Sequence, residues 1–200
     1  EFTHYPSTKK AKVVSIAPYS KDELAISIHA DRIWLFNKNT GTLRALDIKD
    51  EEVNYKIAYS GTNINLHREP SGSMLLISSM VRRLNTNTLT CSKIAISDGK
   101  KSQGNISIIG QTTQGLWMHD NSSIYLLADG ESQMHRITTC DNNKINSGHI
   151  GPDGIMWLAT SNGLYKYDRI ENKLNHLQTS LIKEISSVVC DRSGRVWIGT

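Results

Sequence analysis

The most legible pattern in the chain runs from residue 145 to residue 177. Four short apolar segments, at 145–150, 155–160, 164–168 and 173–177, are separated by turn formers. These are Gly151–Pro152–Asp153–Gly154, Ser161–Asn162–Gly163 and Arg169–Ile170–Glu171–Asn172. Apolar segments of this length, bounded by Gly, Pro and Asn, suit strands joined by tight hairpins and are too short for helices. The run KDELAISIHA at 21–30 has a helix-like composition, but it matches 152–161 and is read as a strand on that ground.

The pattern recurs along the chain. Residues 14–37 align with 145–168 without a gap, placing Asp22 on Asp153, Ile26 on Trp157, Ile33 on Leu164, Trp34 on Tyr165 and Phe36 on Tyr167. Residues 185–200 repeat the first half of the unit, 106–128 match it on the other side, and a weaker copy spans 64–85. The anchors are Ile26, Leu75, Trp117, Trp157 and Trp197, and the first spacing is long because DEEVNYKIAYSG at 50–61 reads as an insertion. Four strands in about forty residues is the pattern of a β-propeller blade. Such a blade is apolar on both faces because it packs between two neighbours. One Trp per blade buries on the order of 200 Å². Gly154 and Gly194, three positions before their Trp, suit hairpin turns that need a positive φ.

The expected fold is therefore all-β, a β-propeller of four-stranded antiparallel blades with four to five blades present. Complete blades are expected at 12–48, 63–94, 105–137 and 145–177, and residues 185–200 as the first half of a further blade. Residues 1–6 read as the last strand of a preceding blade, because FTHY at 2–5 resembles LNHL at 174–177. The order fits a segment of a larger ring, or a five-bladed ring closed by residues 2–5. The segment is preferred, since a closing blade seldom lacks a strand and an open edge invites aggregation.

Apolar residues make up 38% of the 200, enough for a core, and no apolar run approaches the ~18 residues of a membrane span. No signal-peptide pattern opens the chain. The net charge of +4 is a mild bias, and the basic doublets Lys9–Lys10, Arg82–Arg83 and Lys100–Lys101 are too dispersed for a nucleic-acid stripe. No nucleic acid is expected as a partner of this segment. Cys91, Cys140 and Cys190 have no metal-ligand spacing and read as small buried apolar residues. GxSxG, HExxH and P-loop patterns are absent, so no catalytic residue, metal or cofactor is expected. The close His/acid pairs, His119–Asp120 and His29–Asp31, read as polar strand ends. CDRSGRVW at 190–197 is near the Asp-box S-x-D-x-G-x-x-W, a structural turn that marks fold and not activity.

The run I-x-x-V-x-x-D-x-x-G-x-x-W-I-G-T at 185–200, with WLATSNGLYKYD at 157–168, resembles the repeats of the two-component regulator propeller. Those repeats build the periplasmic sensor regions of hybrid two-component systems in Bacteroidetes. Trp157, Trp197, Gly154, Gly194 and Gly163–Leu164 match the repeat, whereas Glu23, Ile26 and Leu75 depart from it. The resemblance implies tandem propellers, usually seven-bladed, followed by an immunoglobulin-like domain, one membrane span, a histidine kinase and a DNA-binding response regulator. It also implies a periplasmic location, an oligosaccharide ligand, contacts with the remaining blades and domains of the same chain, and a homodimer in the full-length protein. This segment would be a sensing piece without catalysis of its own.

In a propeller, the loops joining blades share one face with the loops between second and third strands, and ligands commonly meet that face. The polar candidates there are His29, Arg32, Arg82, His119, Asp120, Asn121 and Asn162. In one register Arg82 takes the place of Tyr165, a charge where an aromatic ring packs. It could hold a carboxylate or sulfate by paired hydrogen bonds; the plainer reading is an Arg paired to an acid or reaching solvent. Asn162–Gly163 also reads as ordinary turn chemistry. Tyr55, in the insertion, could stack on a sugar ring. The alternative functions are a protein-interaction propeller and a propeller glycosidase or lyase.

Overall fold

The computed structural model describes residues 12–29, 31–50, 63–140, 143–177 and 184–200. Every regular element among them is a β-strand. The chain divides into two compact units, Glu1–Ile94 and Ala95–Thr200. Residues 2–5, the insertion from 51 onward and Tyr55 lie outside the described residues.

The first unit begins with β1 (Val13–Pro18), β2 (Glu23–Ile28), β3 (Ile33–Asn37) and β4 (Leu43–Ala45), paired antiparallel in chain order. The next sheet is β6 (Asn65–Arg68), β7 (Met74–Ile77), β8 (Val81–Asn85) and β9 (Thr90–Ile96), again antiparallel in order. The short β5 (Lys49–Asp50) pairs parallel with Thr90 and Cys91, covering the outer edge of that sheet. All four residues of β7 are buried, as an inner strand with both faces covered requires. The core joins Ile33, Leu35, Leu46 and Ile48 to Leu66, Met74, Leu76 and Leu84. Two serines stitch the sheets: Leu66 N donates to Ser15 Oγ at 3.0 Å, and Ser27 Oγ donates to the Ile64 carbonyl at 2.5 Å. Arg83 grips the buried Glu69 by two bonds, Nε to Oε2 at 2.6 Å and Nη2 to Oε1 at 2.7 Å.

The second unit opens with Ala95 and Ile96, paired parallel with Gln133 and Met134. Its first complete sheet is β10 (Ser107–Thr112), β11 (Gly115–His119), β12 (Ser123–Leu127) and β13 (Gln133–Thr139). The second is β14 (Ile145–Ile150), β15 (Met156–Thr160), β16 (Gly163–Asp168) and β17 (Lys173–Leu177). A hairpin of β18 (Ser187–Cys190) and β19 (Val196–Gly199) follows. The first strands β10, β14 and β18 are successive neighbours, the arrangement of blades around an axis. Strand β11 is buried along its whole length. Ile109, Trp117 and Ile124 pack with Met156, Leu158 and Tyr167, and a second cluster joins Ala159 and Leu164 to Ile185 and Val188.

Trp117, Trp157 and Trp197 occupy the second strands of their sheets, opposite Gly110, His149 and Val189 of the first strands. Their indole N–H groups are treated differently. Trp117 Nε1 donates to Thr112 Oγ1 at 3.1 Å and Trp197 Nε1 to Asp191 Oδ2 at 3.1 Å. Trp157 Nε1 is buried without a hydrogen-bond partner among the described residues, because Gly151 stands where Asp191 stands in the next repeat. Asp191 Oδ1 also accepts Ser193 Oγ at 2.6 Å and the amides of Ser193 and Arg195 at 2.9 and 3.0 Å. These bonds, the Ser193 and Trp197 side chains foremost, hold its carboxyl down at about 2.

The gapless alignment of the first and fourth repeats needs one correction. The hydrogen bonds closing β1–β2, His29 N to Lys12 O and Tyr19 N to Glu23 O, correspond to Ser161 N to Lys144 O and Gly151 N to Ile155 O. The Asx turns after β3 and β16, on Asn37 and Asp168, correspond with a displacement one residue smaller. The loop after β2 is therefore a residue longer than the loop after β15. Ala25, fully buried, takes the place of Trp157, and Ile26 that of Leu158. Trp34 and Tyr165 remain equivalent.

Two outcomes test this packing. Gly115 has φ +138, and a Cβ there would come 2.2 Å from the Leu127 carbonyl oxygen. Gly115→Ala is expected to cost about 3 kcal/mol in urea unfolding. Gly130→Ala, at φ +80 with open space around it, should cost about 1 kcal/mol. The depressed Asp191 carboxyl contributes stability that is fully present above the unfolded value of about 4 and is lost as pH falls toward about 2. Acid unfolding followed by tryptophan fluorescence should show that loss in the parent chain and not in Asp191→Asn.

Candidate ligand-binding site

A cavity of about 680 Å³ opens in the second unit where three kinds of segment converge. They are the connection from β9 to β10, the loop between β11 and β12, and the chain leaving β13. Two of these are blade-joining segments and one is a second-to-third-strand loop, the loop classes that share a propeller's ligand face.

One carboxylate holds the frame together. Asp120 is 1% exposed. Its Oδ1 accepts the amides of Ser122 and Ser123 at 2.8 and 2.7 Å, which closes the β11–β12 loop. Its Oδ2 accepts the Gln103 amide at 2.7 Å and the Tyr125 hydroxyl at 2.5 Å. Arg136 on β13 then locks the far side. Its Nη1 donates to the Tyr125 oxygen at 3.0 Å and to Ser123 Oγ, and its Nε to Asp98 Oδ2 at 2.8 Å. The guanidinium carbon lies 5.0 Å from the centre of the Tyr125 ring. Burial, followed by the Asp120 bond, pushes the Tyr125 phenol up to about 12. Arg136 and the Lys100 amide hold Asp98 below the usual carboxylate range. Gly104, at φ +91, makes room for Asn121, since a Cβ there would meet Asn121 Nδ2 at 2.6 Å.

The wall is cationic and polar. Lys100, Lys101, Arg136 and Lys144 line the cavity, with Asn121, Ser122, Thr139 and Asn143 between them. No carboxylate lines it among the described residues. The nearby acids are spent on the frame, Asp98 on Arg136 and Asp120 on its four donors. Cys140, a buried thiol, closes the cavity beside Thr139.

The sequence candidates fall in several places. Asn121 lines the cavity, and Asp120 sits in its frame. His119 is 4% exposed and donates from Nδ1 to the Asp120 carbonyl at 2.8 Å. Burial lowers its pKa, so the ring is neutral at pH 7. Asn162 is in the β15–β16 loop, where its carbonyl accepts His176 Nε2 at 2.8 Å. His176 stacks on Tyr165 with ring centres 4.5 Å apart, and Asn143 Nδ2 donates to the Tyr165 hydroxyl at 2.9 Å, tying that aromatic pair to the cavity wall. The remaining three belong to the first unit. His29 Nδ1 is 2.8 Å from Asn63 Oδ1. Arg32 is exposed, 3.8 Å from Asp31 and 3.7 Å from Asp47. Arg82 faces Leu76 across the β7–β8 pair as Tyr165 faces Leu158 across β15–β16.

Sequence reasoning passed over Lys100, Lys101, Arg136, Asn143 and Lys144. A signal existed for the first two: a basic doublet in a segment joining two blades. Arg136 had none, because an Arg on an outer strand looks like any solvated side chain.

No family model matches the chain, and no curated protein matches it by sequence. Solved structures do match in fold. The extracellular domain of the hybrid two-component system BT4673 from B. thetaiotaomicron superposes with a TM-score of 0.70 at 18% identity, over 94% of this chain and 26% of that one. The corresponding domain of BT3049 from the same organism gives 0.66 at 15% identity, over 94% and 25%. Virginiamycin B lyase from Staphylococcus aureus gives 0.67 at 10% identity, over 96% and 64%. The chain thus spans about a quarter of the extracellular domains it resembles. At these identities the likeness establishes the fold, a β-propeller of four-stranded blades.

The frame makes a spectroscopic prediction. In an ultraviolet pH titration, Tyr125→Phe should remove one phenol that ionises near 12. Asp120→Asn should move that phenol to lower pH and cost about 2 kcal/mol of stability, since it strips a charged acceptor from buried donors. An unchanged high-pH transition in both variants would contradict the geometry.

Proposed function

We propose that this chain is a ligand-sensing propeller segment from the extracytoplasmic region of a hybrid two-component system. It responds to oligosaccharides and signals across the membrane to a histidine kinase. The observation that carries this reading is a polar cavity built on blade-joining loops, in a fold shared with the extracellular domains of two such systems. The repeats at 157–168 and 185–200 support it independently, through their resemblance to the two-component regulator propeller. The cavity suits a saccharide in kind: amides from Asn121 and Asn143 and hydroxyls from Ser122 and Thr139 both give and take hydrogen bonds, as sugar hydroxyls do. The stacked Tyr165–His176 pair beside Asn143 offers a ring surface at its edge.

The lyase shares the fold, and fold alone does not assign chemistry. The one His/acid pair at this site is unsuited to proton transfer with a ligand, because His119 is buried and its Nδ1 is engaged. The chain's wider setting follows from the sensor reading: a periplasmic location, a homodimeric receptor, and further blades and domains in the same polypeptide.

Two measurements test the reading. The complete reading frame is expected to encode a membrane-spanning segment followed by a histidine kinase; a frame with neither would overturn it. Calorimetry of the whole extracytoplasmic region against a panel of plant, host and microbial oligosaccharides should find a binder. Asn121→Ala and Asn143→Ala should weaken it by about tenfold each.

A further inference from the structure

We infer that the cavity of the second unit selects an anionic ligand, a saccharide carrying a carboxylate or a sulfate, with Lys100, Lys101, Lys144 and Arg136 as its charge partners. The saccharide part of this statement rests on the sensor reading, and the anionic part rests on the cavity alone.

The argument begins with charge balance. Four cations line one cavity and no described carboxylate lines it; Asp98 pairs with Arg136 and offsets its charge, which leaves the three lysines as the excess. The Lys100, Lys101 and Lys144 side chains are exposed and make no ion pair with a described carboxylate. Gathering like charges around a concavity raises its potential and costs self-repulsion, which an anion entering the cavity relieves.

Position supplies the second step. Arg136 reaches the wall as a fixed group, held by Asp98, Ser123 and Tyr125, so its charge is in place before a ligand arrives. The three lysines differ: each has a long, rotatable stem and sits on a joining segment. A fixed cation in the wall and mobile ones at the rim suit a ligand whose charge enters first and whose remainder is then read by Asn121, Asn143, Ser122 and Thr139. A compact concavity with hydroxyl and amide donors fits a small anionic saccharide better than a polyanion, which needs an extended basic stripe.

The test is lysine acetylation footprinting of the complete extracytoplasmic chain, read peptide by peptide by mass spectrometry. The probes are sodium sulfate, trigalacturonate, its methyl ester, and a sulfated disaccharide with its desulfated form. Sulfate at high concentration should slow acetylation of Lys100, Lys101 and Lys144, with Lys166 and Lys173 unchanged as references outside the cavity. At least one acidic saccharide should do so at lower concentration while its neutral counterpart does not. Trigalacturonate as the effective probe would assign a carboxylate ligand, and the sulfated disaccharide a sulfate ligand. The triple variant Lys100→Gln/Lys101→Gln/Lys144→Gln, confined to exposed side chains, should weaken the effective probe by about tenfold or more in calorimetry. It should also flatten the salt dependence of binding. Equal protection by charged and neutral forms, or no protection by sulfate and both acidic saccharides, would overturn the proposal. A neutral oligosaccharide that binds while these lysines stay unprotected would remove the anionic selectivity and leave the sensor reading standing. Protection by sulfate in a protein whose reading frame lacks a kinase would do the reverse.

Discussion

A blade of this kind has two apolar faces and cannot stand alone in water. That constraint organises everything else in the chain. It explains why β7 and β11 are buried from end to end and why alternation is weak in them. It also sets the behaviour of the repeated tryptophan. Trp117 is 3% exposed where sheets cover it, whereas Trp197, in the β18–β19 hairpin, is 59% exposed. The same residue type at the same place in the repeat differs in burial through what covers its sheet. Polar chemistry is accordingly driven out of the sheets and into the turns and joining segments at strand ends.

There it is organised by a few buried acceptors. Asp120 shows how. Its two oxygens collect amides from the β11–β12 loop, an amide from the β9–β10 connection and the phenol of Tyr125. A neutral amide in its place would carry one acceptor oxygen where four donors converge. Asp191 does a smaller version of the same task for the turn before β19, binding the Trp197 indole and the amides of Ser193 and Arg195. In both cases the carboxylate is a structural group that fixes loop geometry, and in the first case that geometry is the wall of a cavity.

The fold was legible because its determinants are local. Strand length, Gly-containing turns and the Trp period all lie within one repeat of about forty residues. The alignment slipped at Ile26 for an equally physical reason. In Ala25–Ile26–Ser27–Ile28 no aromatic residue marks the register, and a loop longer by one residue leaves no trace in such a run. The site was half legible. Asn121, which lines the candidate cavity, was named from its loop class, and Lys100–Lys101 was noticed only as a doublet. Arg136 was invisible because its role is defined by Asp98 and Tyr125, residues distant in sequence and unremarkable by themselves. His119 was the opposite case: a suggestive neighbour of an acid that strand geometry turns inward and burial keeps neutral.

The arrangement also bears on how binding at such a site would reach the rest of a receptor. Coupling requires a ligand to favour one arrangement of the protein over another. Lys100 and Lys101 lie on the segment entering the third blade, and Lys144 on the segment leaving it for the fourth. Between them stands the rigid set of Asp120, Tyr125 and Arg136. A ligand held from both segments would draw the entry and exit of one blade toward a fixed point. The sheets themselves are close-packed and resist deformation. Ligand charge would then be read where a small displacement alters the relation between adjacent sheets β10–β13 and β14–β17, already linked by the Ile145 amide bonded to the Asn121 carbonyl at 2.7 Å.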